Sequence, residues 1–129
     1  MHAGKTYVIV CVEREHGPYQ ACSRELTARF GDTIRLVHFP AAKSAVDYLS
    51  INGADLVISS LMQAEINGID LLNTCKELHP HLPVIIYSVL EYKEEFFAWG
   101  HKPDAYVVRT SEFFVLLDTV GKLLNIEER

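Results

Sequence analysis

Thiols, imidazoles and carboxylates are the side chains of this sequence most able to do chemistry, and their spacing limits what that chemistry is. The three cysteines, Cys11, Cys22 and Cys75, form an odd set with no CxxC pair and no Cys/His spacing that converges on a metal. Each lies in an apolar, periodic stretch, so all three read as core thiols in a reducing compartment. Of the six histidines, only His79 and His81 are close together. They flank Pro80 and read as solvated loop residues, since a metal site needs further convergent donors. The segment Glu13-Arg14-Glu15-His16-Gly17-Pro18 follows an apolar run, where a nucleotide-binding fold would place a Gly/Ser/Thr-rich phosphate cradle. Here it is charged, and neither a GxGxxG nor a P-loop occurs elsewhere. No enzymatic role is expected.

The chain has 129 residues, enough for one compact domain spanning 1–129 with a core over about 5–125, and 49% of them are apolar. A core of that size needs neither disulfides nor a structural metal. The net charge of −5 and the absence of a basic stripe argue against nucleic acid as a partner. The start, Met1-His2-Ala3-Gly4-Lys5, leads straight into a strand pattern without a signal peptide. The apolar runs are far shorter than the roughly 20 residues of a membrane span. A soluble, cytoplasmic protein is expected, with no membrane partner.

Five short β-branched runs position whatever chemistry there is: Tyr7 to Val12, Thr33 to Phe39, Leu56 to Ser59, Val84 to Tyr87 and Ala105 to Val108. They are continuous rather than alternating, as in strands covered on both faces. Between them apolar residues recur at helical spacing, as at Tyr19, Cys22, Leu26 and Phe30, or Leu71, Leu72, Cys75 and Leu78. The last helix carries Phe113, Leu116, Leu117, Val120 and Leu124 on one face, with Thr110 and Ser111 available to cap it and Glu112 in its first turn. Strands joined by helices run parallel, and right-handed crossovers bury the sheet between two helical layers. The expected fold is α/β: a flavodoxin-like (βα)5 three-layer sandwich with strand order 2-1-3-4-5. In such folds ligands sit beyond the carboxyl ends of the strands, beside the switch point. Any chemistry therefore belongs to Glu13, Ser60, Ser88, Arg109 and their neighbours.

At those strand ends the sequence resembles a response-regulator receiver domain of the chemotaxis-regulator type. Ala54-Asp55-Leu56-Val57-Ile58-Ser59-Ser60-Leu61-Met62 is similar to the third strand of that family, and Ser60 stands where the phosphoacceptor aspartate is found. Asn67-Gly68 matches the turn that opens the third helix. Leu82 to Ser88 resembles the fourth strand, with Ser88 at the switch Ser/Thr. Asp104 to Arg109 resembles the fifth, with Tyr106 at the switch aromatic and Arg109 at the lysine position. The resemblance implies a bacterial two-component or phosphorelay signalling protein.

The departures redirect that implication. A working receiver holds Mg²⁺ with an acidic pair after the first strand and the phosphoacceptor aspartate. Here that strand ends Cys11-Val12-Glu13-Arg14, so at most one carboxylate takes part, and Ser60 adds a neutral hydroxyl. Mg²⁺ demands hard anionic oxygens in near-octahedral array. Its binding is expected to be lost, and no other cofactor is implied. Ser60 is also a weak nucleophile without a base to activate it. Arg109 can clamp Glu13 as an internal ion pair or bind an anion; the clamp, with Glu15 as the alternative partner, is favoured.

The reading that results is a pseudo-receiver acting as a phosphorylation-independent protein-interaction module. Its alternatives are an unorthodox but still phosphorylatable receiver and, from another class, a flavodoxin-like small-ligand or nucleotide-binding protein. Tyr92, Phe96, Phe97 and Trp99 crowd the expected fourth helix beyond what one buried stripe needs, and Phe113 and Phe114 are adjacent in the fifth, so both cannot point inward. Receivers use the face formed by the fourth helix, fifth strand and fifth helix as an output surface. Tyr92, Phe97, Trp99, Tyr106 and Phe114 are therefore the expected interface residues, for a protein partner or a homodimer.

Overall fold

Continuous apolar runs conceal an alternation that the folded sheet displays. The computed structural model describes residues 4–61, 67–110 and 112–126. Strands β1 (Tyr7–Val12), β2 (Ile34–Phe39), β3 (Leu56–Ser59), β4 (Val84–Ser88) and β5 (Ala105–Val108) form one parallel sheet in the order β2-β1-β3-β4-β5. Ile9, Cys11, Ile58, Ile85, Tyr87 and Val107 face one side and pack against α1 (His16–Phe30) and α4 (Phe114–Leu124). Val10, Val12, Val57, Val84 and Ile86 face the other side, against α2 (Ala42–Ile51) and α3 (Gly68–Leu78). Both faces are dry, so every strand position can be apolar, as the expected three-layer sandwich requires.

Two glycines hold the backbone where other residues strain. Gly31 ends α1 at φ 58°, a left-handed value that a Cβ resists. Gly68 opens α3 so close to the end of β3 that an added Cβ would lie 2.5 Å from the Ser60 carbonyl oxygen. Its N–H donates to Leu61 O at 2.7 Å, and the Asn67 side chain caps the helix by accepting from Asp70 N at 2.9 Å.

The expected fourth helix is not there. Between β4 and β5 the chain makes a single 3₁₀ turn, Glu94–Phe97. The alternation of strands and helices and the receiver resemblance imply a helix here, but after β4 the chain is held by side chains in a local turn. Leu90 N–H donates to Ser88 Oγ at 3.0 Å, and Leu90 O accepts from the Tyr106 hydroxyl at 2.8 Å. Gly100 and Pro103, both poor helix formers, follow the turn on the way to β5.

Three smaller expectations also change. Thr110 does not cap α4: its Oγ1 accepts from Glu112 N and donates to Glu112 O, a local turn before the helix begins at Phe114. Glu112 consequently precedes the first turn, and Ser111 lies outside the described residues. His79 is not a solvated loop residue, because its Nε2–H donates to the Leu49 carbonyl at 2.8 Å and ties the end of α3 to α2. No described helix is long and apolar enough to cross a membrane.

Candidate functional site

The carboxyl ends of β1, β3, β4 and β5 bring Glu13, Ser60, Ser88 and Arg109 to one open pocket of about 340 Å³, which Arg14, Glu15, Pro18, Leu61 and Val89 also line. Strand β1 ends at Val12, whose side chain is buried in the α2/α3 layer, so Glu13 is its first residue beyond the sheet. Glu13 is fixed from three directions. Its N–H donates to Phe39 O at 3.1 Å. Its Oε2 accepts from Glu15 N at 2.8 Å. Its Oε1 accepts from Arg109 Nη2 at 2.8 Å.

Arg109 is equally constrained. Its N–H donates to Ser88 O at 2.6 Å, carrying β5 beyond its last paired residue. The guanidinium lies over the Tyr87 ring, 4.8 Å from the centroid, and Nη2 also reaches Tyr87 O at 3.3 Å. The side chains of Arg109 and Glu13 are only 23% and 14% exposed, so the pair is largely withdrawn from solvent screening. A planar guanidinium suits this role, since it binds a carboxylate and stacks on a ring together. Glu15, the other candidate partner, is exposed, and what it contributes is its backbone N–H to Glu13.

The two hydroxyls have different places. Ser60 follows β3 directly, held by its N–H to Val12 O at 3.2 Å, and lines the pocket. Ser88 is buried, and its Oγ accepts the Leu90 N–H. Beneath the pocket lies a cavity of about 20 Å³ between Cys11, Cys22, Tyr19, Ile58 and Tyr87, bounded by the Glu13–Arg109 pair. Burial pushes the Cys22 thiol up to about 11 and raises Cys11 and Tyr87 above their ordinary values. These thiols are protonated, unreactive core groups.

The sequence reading missed His38 and Tyr87. His38 donates from Nε2 to Glu13 O at 2.8 Å and stacks on Tyr19 with ring centroids 3.7 Å apart. The strand order held the signal for His38, since pairing β2 with β1 sets it opposite Cys11, two residues before Glu13. Nothing in the sequence marks Tyr87 as the platform for a guanidinium.

The expected interface residues divide. Trp99 is 98% exposed, Phe114 55% and Tyr92 46%. Phe97 is instead 2% exposed and belongs to the α2/α3 side of the core, so it is withdrawn as an interface residue. Its ring substitutes for the buried stripe of the missing helix. Tyr106 is half-buried, edge-on to both Tyr92 and Phe97.

The fold matches that of solved receiver domains. The chain is similar to the signal receiver domain of an HD domain-containing protein from Pseudomonas fluorescens Pf-5, with a TM-score of 0.82 and 18% identity over 94% of this chain and 96% of that one. It is similar to the response regulator TrrA from Thermotoga maritima, solved in complex with Mg²⁺-BeF, with a TM-score of 0.81 and 20% identity over 92% and 99%. A CheY-like receiver domain from Methanospirillum hungatei JF-1 gives 0.82 and 16% over 94% and 95%. No protein-family model matches the chain, and no curated protein matches it significantly. The chain has the receiver fold.

That fold implies a Mg²⁺ site among these strand ends, and the residues present do not fit one. Val12 is apolar and turned into the core, Ser60 is neutral, and both oxygens of Glu13 are engaged by Arg109 and Glu15 N. Among the described residues no group of three or more His, Cys, Asp or Glu converges as metal ligands. A hard dication here would have to compete with a guanidinium for Glu13, and Glu15 is the one other carboxylate among the described residues lining the pocket.

Proposed function

We propose that this chain is a receiver-type domain of a two-component or phosphorelay pathway that works without phosphorylation, as a protein-interaction module and not as an enzyme. One observation carries the reading: the 2.8 Å contact of Arg109 with Glu13. The cation that would neutralise a transferring phosphoryl group is spent on the acidic residue that would help to hold the metal. With Ser60 at the acceptor position and Val12 beside Glu13, neither nucleophile nor dication has the charge it needs. What remains to such a domain is its surface, and the apolar residues exposed around β5 support that use: Leu90, Tyr92, Trp99, Val108, Phe114 and Val115.

The test is intact-mass analysis after incubation with acetyl phosphate and Mg²⁺, and with a phosphorylated histidine kinase. No adduct is expected. A Mg²⁺-dependent phosphoadduct that disappears in Ser60→Ala would establish the alternative, a receiver phosphorylated on serine.

A further inference from the structure

We infer that Trp99 is the anchor of a docking site for a cationic, arginine-bearing segment of a partner protein. The inference rests on the interaction-module reading and names the partner's chemistry.

The indole is 98% exposed, yet the backbone that carries it is fixed. Two residues before it, Phe97 is sunk in the core. Directly after it, Gly100 packs so closely on the Asn73 amide that a Cβ would lie 2.5 Å from Oδ1, and His101 N–H donates to the same oxygen at 2.7 Å. A large aromatic surface held in water on a pinned turn gains nothing for folding. It suits binding, because the ordering cost of the loop is already met.

The charges of the turn and of the helix face that holds it select the partner. Asn73, which holds the turn to α3, has Asp70 three residues before it and Glu77 four residues after it. Both acids therefore share its helix face, and both are exposed. Glu94 and Glu95 of the 3₁₀ turn are exposed as well. Lys76 of α3 does not offset them, being 11% exposed and bound to Asp104 at 2.6 Å and to Leu82 O at 2.8 Å. Lys93 and Lys102 are the exposed cations beside the turn and in the loop after it, so four carboxylates outnumber two ammonium groups across the turn, that loop and the α3 face that holds them.

An exposed indole on an acidic turn and helix face suits a guanidinium, through cation–π and ionic contacts together. The same charges disfavour the other occupants. Anionic lipid and nucleic acid are repelled, and a second copy across a twofold axis would set these acids against themselves in a chain of net charge −5.

Trp99 is the sole tryptophan, so its fluorescence reports the site directly. The probes are a short amphipathic peptide of Leu and Arg and its Leu/Glu counterpart, titrated into the whole chain. The Leu/Arg peptide is expected to shift Trp99 emission saturably, and the effect should weaken as salt is raised. The Leu/Glu peptide should do nothing. With a labelled Leu/Arg peptide, Trp99→Ala and the pair Glu94→Lys with Glu95→Lys should each weaken binding roughly tenfold or more. Equal responses to both peptides, no response to either, or unchanged affinity in the variants overturns the inference. So does an emission shift produced by raising the protein concentration alone, which makes a second copy the occupant, or by phosphatidylserine vesicles. A phosphoadduct in the mass experiment would strike the module reading and leave the peptide result standing, so the two failures are distinguishable.

Discussion

Arg109 Nη2 donates to Glu13 Oε1 at 2.8 Å, and this contact joins the carboxyl ends of β1 and β5 across the two strands between them. Neither side chain is free to do anything else without leaving the other partly buried and unpaired. That sets the energetics of the retired pocket.

Removing one partner should therefore cost more than the pair is worth. Glu13→Gln and Arg109→Met are each expected to lower stability by about 1–3 kcal/mol, because each leaves a desolvated group behind. The double variant should lose less than the sum, with a coupling of at least about 0.5 kcal/mol. Urea denaturation of the four proteins measures it, and strictly additive losses would mean that the contact does not persist in solution.

The cysteines make a separate prediction in pH. Burial pushes the Cys22 and Cys75 thiols up to about 11 in the folded chain, from an ordinary value of 9.0. Their folded values are raised, so the unfolded chain releases protons first. The stability they contribute is full below pH 9 and is lost as pH rises toward 11. Denaturation midpoints should fall through that window, and replacing both cysteines by alanine should flatten the decline. At neutral pH all three thiols should resist iodoacetamide until denaturant is added.

Gly68→Ala tests the close approach of α3 to the pocket floor. The new Cβ would meet backbone, Ser60 O at 2.5 Å and Leu61 Cα at 2.8 Å, which no side-chain rotation relieves. A loss of roughly 2 kcal/mol or more is expected, against the gain that Ala for Gly ordinarily gives inside a helix. A stabilised variant would show that helix and strand end stand further apart.

The fold was legible because both faces of the sheet are covered. Continuous runs such as Tyr7 to Val12 admit few alternatives to a parallel, buried strand, and the strand order then places Glu13, Ser60, Ser88 and Arg109 together. What escaped depends on contacts between residues distant in sequence. Nothing local to Leu90 shows that its carbonyl is taken by a hydroxyl on β5, or that Tyr87 lies beneath a guanidinium. The helix expected between β4 and β5 came from the alternation of elements and from the resemblance, and the segment holds a single described 3₁₀ turn instead.

The missing helix yields the sharpest contrast between neighbours. In a helix through this segment, Tyr92, Phe96 and Trp99 would share a face and Phe97 would sit about 100° from Phe96. In the 3₁₀ turn, Phe97 alone is deeply buried, packed near Tyr92 and Tyr106, while Trp99 is 98% exposed. Phe97→Ala should accordingly open a cavity between β5 and α3 and cost about 3–5 kcal/mol. Trp99→Ala should leave stability within about 0.5 kcal/mol of the parent, since nothing is packed on the indole. The Phe97 variant should also open at the turn first, because the His101 N–H bond to Asn73 Oδ1 is then left to hold it without the buried ring. Urea denaturation ranks the two variants, and amide exchange at His101 locates the opening. Comparable losses from both substitutions, or a larger one at Trp99, would mean that the segment is helical with the indole turned inward. The exposed anchor would then not exist.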